Sequence, residues 1–206
     1  MAKNLTLFTP ESSRPRNLLP YDGECVYYGA VFEKEAADAY LQYLLTEIPW
    51  KNDEIMMYGK HIVTGRKVVW YGDRNYPYRY SHKTRTALPW TRELREIKAV
   101  AEKMTGISYN SCLLNLYENG SQGLGWHRDD EKELQEGAAI ASVSFGAERR
   151  FDMRHDVRKE KVSVLLEHGS LLLMRGDTQK HWKHQVPKSV KISAPRVNLT
   201  FRRMLE

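Results

Sequence analysis

The sequence predicts a mainly β domain of the α+β class, a sandwich or jelly roll that is preceded by two helices. In the first half of the chain, two stretches repeat apolar residues at helical spacing, and from residue 111 onward the period of the pattern changes to two. Many short strands in one compact unit are typical of sandwiches and jelly rolls. The length of 206 residues suits a single domain that buries a sizeable core.

The first part of the chain predicts a lead-in and two amphipathic helices. Residues 1–22 are interrupted by prolines and are expected to be irregular. Apolar side chains follow one helical stripe over residues 33–48, up to Pro49, and another over residues 90–104, up to Gly106. Both stripes indicate helix surfaces that pack against a core.

The second part predicts short strands separated by Gly, Asp, Lys and Pro. Because side chains two apart on a strand share a face, the alternation indicates which residues of a strand point the same way. The strands are expected at residues 111–117, 139–145, 150–154, 162–166, 170–174, 182–186 and 196–202.

The composition favours an anionic partner. A formal net charge of +6 attracts polyanions without specifying one. The basic residues concentrate in two groups, which we interpret as a rim that follows a phosphate backbone, with two solvated loop faces as the alternative. The groups are Arg149, Arg150, Arg154, Arg158, Lys159 and Lys161, and Lys180, Lys183, Lys188 and Lys191.

The cysteines and the N-terminal residues bear on the compartment. Cys25 and Cys112 have neither the spacing of a zinc site nor the density of a disulfide scaffold, which favours a reducing environment. We expect the cytoplasm of a bacterium, or an intracellular compartment such as the nucleus in a eukaryote. The sequence predicts no signal peptide and no membrane span, and we expect a monomer.

His127 and Asp129 are candidate metal ligands. They stand two apart, so an extended chain places both side chains on one face. The H-x-D pattern alone is weak evidence, because it often arises by chance. A second histidine would complete the triad of two imidazoles and one carboxylate found in non-heme Fe(II) oxygenases, which leaves three coordination positions open. Zinc on the same ligands is the rival interpretation.

The second histidine is either His181 or His184. The apolar side chains Trp182 and Val186 have the same parity as His184. This pattern predicts that His184 faces inward and that His181 lies at the surface. We therefore predict His184 as the third ligand.

The strand at residues 196–202 predicts an anion clamp. Two inward guanidinium groups need anionic partners, since an unpaired buried charge is costly. No acidic residue lies nearby in this strand, so the predicted partner is a dicarboxylate co-substrate, which guanidinium groups bind bidentately and which a hydrolytic zinc site does not need. A salt bridge to an Asp or Glu from elsewhere in the chain is the alternative for either arginine alone and is disfavoured for both together. The polar face carries Arg196, Asn198, Thr200 and Arg202, and the apolar face carries Val197, Leu199 and Phe201.

These residues resemble the Fe(II)/2-oxoglutarate dioxygenases of the AlkB nucleic-acid demethylase family, and most closely its DNA and RNA alkylation-repair branch. The resemblance covers most of the chain beyond the lead-in. It implies a double-stranded β-helix, which is a form of jelly roll, with both N-terminal helices packed along one sheet. The matching stretches include Asn115-Leu116-Tyr117, Trp126-His127-Arg128-Asp129-Asp130-Glu131, and residues 141–147, 168–171 and 195–202.

The resemblance also implies a division of the chain. Residues 23–206 would form a single dioxygenase domain after the lead-in at residues 1–22. Within it, residues 23–108 would supply substrate-recognition hairpins and helices, and residues 109–206 would form the double-stranded β-helix core.

The resemblance further implies Fe(II) on the predicted triad and 2-oxoglutarate as co-substrate. Arg196 would pair with the distal carboxylate of 2-oxoglutarate together with the Tyr117 hydroxyl. Arg202 and Asn115 would lie nearer the carboxylate that chelates iron. Asn198 completes the predicted co-substrate site.

A hairpin is predicted at residues 54–63, with a turn at Gly59 and a tip formed by Met57 and Tyr58. In the repair members of the family, the equivalent hairpin carries a finger that fills the gap left by a flipped base, and apolar wedges of this kind unstack duplex steps. Tyrosine in place of phenylalanine leaves the preference for duplex or single strand open. An ordinary hairpin with a packed tyrosine is the alternative.

Four further residues are assigned to substrate binding. By resemblance, Tyr80 stacks on the extruded base, and Tyr78 shares its strand face. Arg66 could reach a phosphate. Glu131 would accept from the exocyclic amino group of a cationic methylated base and offset its charge, although it could instead belong to a solvated acidic loop.

Together these features predict oxidative dealkylation of N-methylated nucleobases of the 1-methyladenine and 3-methylcytosine type. The substrate is expected to be DNA, with RNA as an alternative, and the products are formaldehyde, succinate and CO₂. A catalytically silent nucleic-acid binder and a dioxygenase acting on a protein or small molecule also remain open. The intact triad with both arginines argues against the first, and the hairpin with the basic rim argues against the second.

Overall fold

The computed structural model describes residues 15–57, 60–80, 83–130, 133–134 and 137–205, with the backbone alone at residues 55–57, 60–61, 77–80 and 83–85. Its elements in chain order are β1 (Glu24–Ala30), α1 (Lys34–Thr46), β2 (Lys51–Met57), β3 (Lys60–Gly72), β4 (Pro77–Tyr80), β5 (Lys83–Thr86), α2 (Arg92–Thr105), β6 (Ser111–Tyr117), β7 (Leu124–His127), β8 (Ile140–Gly146), β9 (Arg149–His155), β10 (Lys161–Leu166), β11 (Ser170–Arg175), α3 (Thr178–His181), β12 (Trp182–Val186) and β13 (Arg196–Arg202).

Two sheets form the body of the protein. The larger has seven strands in the order β1-β11-β8-β13-β6-β3-β2, and the smaller has four in the order β10-β9-β12-β7. The strand pairs within both sheets are antiparallel, and β4 and β5 form a separate two-stranded hairpin. This arrangement confirms the predicted mainly β jelly roll.

Helices α1 and α2 cover the outer face of the seven-stranded sheet, as predicted. Leu94 of α2 is fully buried in the same apolar cluster as Val197 and Phe201 of β13. The N-terminus of α2 is capped by Thr91, whose Oγ1 accepts a hydrogen bond of 3.2 Å from the backbone N–H of Leu94. Gly106 ends the helix with a φ of 70°, a left-handed conformation that glycine adopts without strain.

The inner faces of the two sheets enclose an apolar region and a polar one. The apolar region includes Ile140 and Leu172 of the larger sheet together with Met153 and Trp182 of the smaller sheet. The polar region is a cavity lined by residues of both sheets. Burial of the apolar region stabilises the roll, since removing apolar area from water contributes roughly 25 cal/mol per Å².

Residues 15–22, the described part of the lead-in, pack against the roll. Leu19 is only 4% exposed. Asn17 Oδ1 accepts from the backbone N–H groups of Leu19 and Cys25, and Trp182 Nε1 donates to the carbonyl of Tyr21. The last residues before β1 therefore contribute to the core, although no strand or helix forms there.

Several elements differ from the sequence prediction. The second strand of the predicted hairpin at residues 54–63 continues to Gly72 as one strand, β3, which pairs first with β2 and then with β6. The short elements β7 and α3 were not predicted, because four residues carry too little periodicity to be recognised. No helix in the described part of the chain is long and apolar enough to cross a membrane.

Candidate active site

His127, Asp129 and His184 come together at one end of the smaller sheet. His127 ends β7 and lies directly opposite His184 on β12, and Asp129 follows two residues after His127. Asp129 Oδ1 is 3.7 Å from His127 Nε2 and 4.0 Å from His184 Nε2. Ligand distances of about 2.0–2.2 Å, as for zinc, put two ligands of one ion at most about 4.4 Å apart, so these pairs suit a shared metal ion.

The predicted inward orientation of His184, in contrast to His181, is confirmed by the position of the two rings. Trp182, His184 and Val186 are buried on one face of β12, as the alternation predicted. His181 lies instead at the end of α3 and groups with His155 and Asp22 away from the triad.

The hydrogen bonding of His127 and the burial of His184 suit metal binding. The Nδ1–H of His127 donates to the carbonyl of Gly125 at 2.8 Å, so Nε2 is the nitrogen available to a metal. Burial lowers the pKa of His184 well below its ordinary value, and the neighbouring His127 and Arg202 lower it further. His184 is therefore neutral at pH 7, which is the state required of a ligand.

The third candidate ligand, Asp129, is held in place by two contacts. Its backbone N–H donates to Gln179 Oε1 at 3.0 Å, and its Oδ2 accepts from Arg202 Nη2 at 2.9 Å. Both side chains of this ion pair are almost completely buried. Arg202 therefore orients the carboxylate so that Oδ1 is the atom nearest to the two histidines.

The Arg202–Asp129 ion pair bears on the interpretation of Arg202. A salt bridge to an acidic residue from elsewhere in the chain was the alternative considered for either arginine alone, and Arg202 forms such a salt bridge. Asp129 supplies the carboxylate from the segment after β7. A contact between Arg202 and 2-oxoglutarate stays a prediction, because Arg202 also lines the cavity.

The triad opens into a cavity of about 270 Å³ between the two sheets. The predicted faces of β13 are confirmed, because the four polar residues of that strand line the cavity and the three apolar residues pack under the helices. The cavity is lined by polar groups on the larger sheet (Asn115, Tyr117, Ser142, Arg196, Asn198, Thr200 and Arg202) and by apolar groups that include Leu124, Phe151, Met174 and Val186.

Arg196 fits an anionic ligand. Its Nη2 donates to Ser144 Oγ at 2.9 Å, and its guanidinium lies over the Tyr117 ring at 5.4 Å. Burial lowers the pKa of Arg196 to about 10, so the group is still charged at pH 7. Among the residues that the structure describes, nothing bonds to Nε or Nη1 of Arg196 or to Oδ1 of Asn115. The carboxylate arm of 2-oxoglutarate fits the two unpaired guanidinium donors.

Asn198 has a structural function in the cavity wall. Its amide group donates to Ser142 Oγ at 2.8 Å and to the carbonyl of Val143 at 3.0 Å, and its Oδ1 accepts from Thr200 at 3.2 Å. Both amide hydrogens are thus engaged between β8 and β13. The predicted contact of Asn198 with 2-oxoglutarate stays a prediction that would need one of these bonds to rearrange.

Ser142, Ser144 and Gln179 take part in the site without having been predicted. The alternation of residues 139–145 gives a partial signal, since the two serines share one face of β8. No sequence pattern identifies Gln179 as the acceptor for the Asp129 backbone, because the bond joins positions that are distant in the chain.

Arg66 does not lie where a phosphate contact requires it. It is buried in the cavity wall, where its Nη2 is 2.5 Å from Asp53 Oδ2, and the Arg66 side chain is only 10% exposed. The prediction that Arg66 reaches a phosphate is therefore at odds with its position, although it lies in the same cavity as the triad.

The remaining predicted substrate residues are described incompletely or not at all. Tyr78 and Tyr80 belong to β4, which pairs with β5, and their side chains are outside the description. Tyr58 and Glu131 lie outside the described residues. Asp130, which was not predicted, is exposed and lines the cavity mouth.

The predicted basic rim is confirmed as exposed surface only in part. Arg149 is 1% exposed and belongs to the interior, which corrects its assignment to the rim. Arg154 and Lys161 lie over the Trp126 ring at 4.6 Å and 5.9 Å, on the outer side of the smaller sheet. Cationic groups stacked beside an aromatic ring are compatible with a nucleic-acid surface.

A second cluster of possible ligands, Asp22, His155 and His181, is a poor metal site. His155 Nδ1 accepts from the backbone N–H groups of Val157 and Arg158, so the ring proton must be on Nε2. That proton is directed at Asp22 Oδ2, 3.2 Å away. Metal binding at Nε2 of His155 would require a proton on Nδ1. That proton would then point at the backbone N–H groups of Val157 and Arg158, which now donate to Nδ1.

Comparison with known proteins places the chain in a family. Residues 24–202 match the 2OG-Fe(II) oxygenase superfamily. The chain is 42% identical over 188 residues to human alpha-ketoglutarate-dependent dioxygenase alkB homolog 3, covering 86% of this chain and 65% of that protein. It is 40% identical over 189 residues to the human DNA oxidative demethylase ALKBH2, covering 86% of this chain and 72% of that protein.

More distant relatives agree with this placement. The ALKBH2 protein of Arabidopsis thaliana is 32% identical over 214 residues, covering 91% of this chain and 68% of that protein. The solved structure of OsALKBH1 matches with a TM-score of 0.59 over 94% of this chain and 99% of that chain, and its 18% identity supports the fold alone. The chain belongs to the AlkB-type family of 2OG-Fe(II) oxygenases, whose metal is Fe(II) and whose co-substrate is 2-oxoglutarate.

Proposed function

We propose that the chain is an oxidative demethylase of N-methylated nucleobases in DNA, of the 1-methyladenine and 3-methylcytosine type, with RNA as the alternative substrate. The observation that carries the proposal is the cavity in which the His127–Asp129–His184 group faces the buried guanidinium of Arg196. The similarity to the DNA oxidative demethylase ALKBH2 supports a methylated base as the group that enters this cavity.

The residues of the cavity have different proposed functions. His127, Asp129 and His184 would hold Fe(II) on one face and leave three positions open for the co-substrate and O₂. Arg196 and Tyr117 would bind the distal carboxylate of 2-oxoglutarate and so fix its orientation. When bound, the iron centre supplies the activation of O₂ that converts 2-oxoglutarate to succinate and CO₂ and oxidises the methyl group, which leaves as formaldehyde.

The protein environment supports the same assignment. Leu124, Phe151 and Val186 line the smaller-sheet side of the cavity and limit the access of water. The net charge of +6 favours a polyanionic substrate. Cys25 and Cys112 are both free and buried, which is compatible with a reducing intracellular compartment.

Formaldehyde release tests the proposal. Oligonucleotides of DNA and RNA, each carrying one methylated base, are incubated with the protein, Fe(II) and O₂, with and without 2-oxoglutarate, as single strands and as duplexes. We expect formaldehyde only when 2-oxoglutarate is present, and we expect an unmethylated oligonucleotide to compete. Conversion of 2-oxoglutarate to succinate without formaldehyde from any oligonucleotide would instead favour a protein or small-molecule substrate.

If Tyr58 is a finger that fills the gap left by a flipped base, Tyr58→Ala is expected to reduce activity on duplex DNA more than on single strands. Flipping a base out of a duplex costs a few kcal/mol, and most of that cost is absent in a single strand. Rates on the same methylated sequence in both forms provide the comparison. Equal losses on the two forms would assign Tyr58 to ordinary packing.

Glu131→Gln is expected to narrow the preference for 1-methyladenine and 3-methylcytosine over 3-methylthymine. The first two bases are cationic and carry an exocyclic amino group, which a carboxylate both accepts from and neutralises, whereas 3-methylthymine is neutral and presents a carbonyl. The three demethylation rates are measured side by side. An unchanged ratio would mean that the shape of the cavity, and not Glu131, sets the selectivity.

A further inference from the structure

Arg149, at the start of β9, is a buried cation that the proposed function does not use. It is 1% exposed. Its guanidinium donates to the backbone carbonyls of Gln122 and Pro187, each at 2.8 Å, and more weakly to that of Asn119 at 3.5 Å. These bonds tie the loop before β7 to the segment after β12, the two strands that carry His127 and His184.

The guanidinium of Arg149 also lies over the ring of Tyr117, at 5.7 Å. The same ring carries Arg196 at 5.4 Å. Two buried guanidinium groups therefore lie beside Tyr117. This is also where the distal carboxylate of 2-oxoglutarate is proposed to bind.

The two arginines differ from the other buried arginines around the cavity in having no acidic partner. Arg66 is paired with Asp53, and Arg202 is paired with Asp129. Within the described ranges, no carboxylate forms an ion pair with Arg149 or Arg196. Backbone carbonyls offset part of the charge of Arg149, but carbonyl groups carry no net negative charge. A buried excess of positive charge is costly unless an anion joins it.

We propose that Arg149 is a positioning residue of the 2-oxoglutarate site, which supplies a second positive charge for the distal carboxylate and holds the Tyr117 ring against Arg196. The proposal rests on the assignment of Arg196 and Tyr117 to that carboxylate, and it does not depend on which nucleic acid is the substrate. Arg149 does not line the cavity, so it acts across the Tyr117 ring and does not touch the co-substrate.

A purely structural function of Arg149 makes a different prediction. If Arg149 only tied the two loops together, its loss would weaken every ligand of the metal site alike. A charge directed at the distal carboxylate affects only ligands that have one. N-oxalylglycine has both a chelating head and a distal carboxylate, and oxalate has the chelating head alone.

Binding of these two anions to the Mn(II)-loaded protein, measured by calorimetry without nucleic acid, tests the proposal. Arg149→Gln keeps N–H donors and removes the charge. We expect it to weaken the binding of N-oxalylglycine on the order of tenfold, which is the effect of one unit charge several ångströms away in a protein interior. The affinity for oxalate should change by less than about twofold. Arg149→Lys keeps the charge and should preserve the ratio of the two affinities to within about threefold.

Two reference variants complete the experiment. Arg150→Gln changes the neighbouring arginine, whose side chain is 61% exposed, and should leave both affinities unchanged. Arg196→Gln should weaken the binding of N-oxalylglycine more than the binding of oxalate. If it does not, the distal carboxylate does not bind at Arg196, and the proposal for Arg149 is overturned as well.

The activity assay adds a second readout. For Arg149→Gln we expect the KM for 2-oxoglutarate to rise while kcat at saturating 2-oxoglutarate changes little. Equal losses for N-oxalylglycine and oxalate, or no loss for either, would assign Arg149 to loop packing alone. Thermal unfolding shows whether Arg149→Gln folds. If it does not, Arg149→Lys decides the question: a change of more than about threefold in its ratio of N-oxalylglycine affinity to oxalate affinity would overturn the proposal.

Discussion

Replacing Asp129 with alanine is expected to abolish 2-oxoglutarate turnover and also to destabilise the fold. The substitution removes one of three metal ligands, and sites with three protein ligands rarely retain the ion when one is gone. It also takes away the carboxylate that Arg202 binds at 2.9 Å. Breaking a buried ion pair by removing one partner costs about 3–5 kcal/mol, so the loss of stability should be large.

Asp129→Asn separates the two effects. The amide oxygen can still accept from Arg202, so this variant should unfold at a higher urea concentration than Asp129→Ala, yet it should be equally inactive. Succinate formation, Fe(II) binding and urea unfolding are measured for both. Full turnover in either variant would contradict the metal assignment, and equal stability of the two would contradict the importance of the Arg202 contact.

A matched pair of histidine variants controls for general effects of substitution in this region. His184→Ala should lose turnover, because it removes a ligand. His181→Ala, three residues earlier and outside the cavity, should retain turnover. Loss of activity in both would indicate damage to the segment that contains α3 and β12 and not to a metal site.

Period-two alternation predicted the orientation of the site residues correctly because it depends only on local geometry. Trp182 and Val186 identify the inward face of β12, and that face carries His184. The same reasoning separated the cavity face of β13 from the face beneath the helices. A one-residue shift would have exchanged the two faces, so the buried apolar residues determine the register strongly.

Contacts between distant segments could not be predicted in the same way. The Arg202–Asp129 and Arg66–Asp53 pairs depend on which strands lie next to each other, and the strand order of the sheets follows from the whole fold. The position of Arg149 shows the same limit. Its sequence neighbourhood is rich in arginine and typical of an exposed basic surface, but its parity and its carbonyl partners place it inside.

Arg196→Met is expected to raise the 2-oxoglutarate concentration needed for turnover by about tenfold to a hundredfold. A charge-assisted hydrogen-bonded pair contributes on the order of 1.5 to 3 kcal/mol, which corresponds to that range of affinity. Methionine preserves much of the apolar volume of the side chain, so packing against the Tyr117 ring should be largely retained.

The full loss of 2-oxoglutarate affinity is expected at Arg196 because no acidic residue in the described part of the chain pairs with its charge. In the described part of the chain, Arg196 has a serine hydroxyl and an aromatic ring as neighbours and no carboxylate. Arg202, by contrast, is already paired with Asp129, so Arg202→Met should change metal binding and stability as well as the requirement for 2-oxoglutarate.

The measurement is the dependence of succinate formation on 2-oxoglutarate, with Arg95→Met on the exposed face of α2 as the control for loss of a positive charge. For Arg196→Met, kcat at saturating 2-oxoglutarate should fall less than kcat/KM, since the arginine binds the end of the co-substrate that does not react. An unchanged KM would place the distal carboxylate elsewhere in the cavity. Arg202 and Asn115 are two other polar groups of the larger sheet that line the cavity and could then bind it.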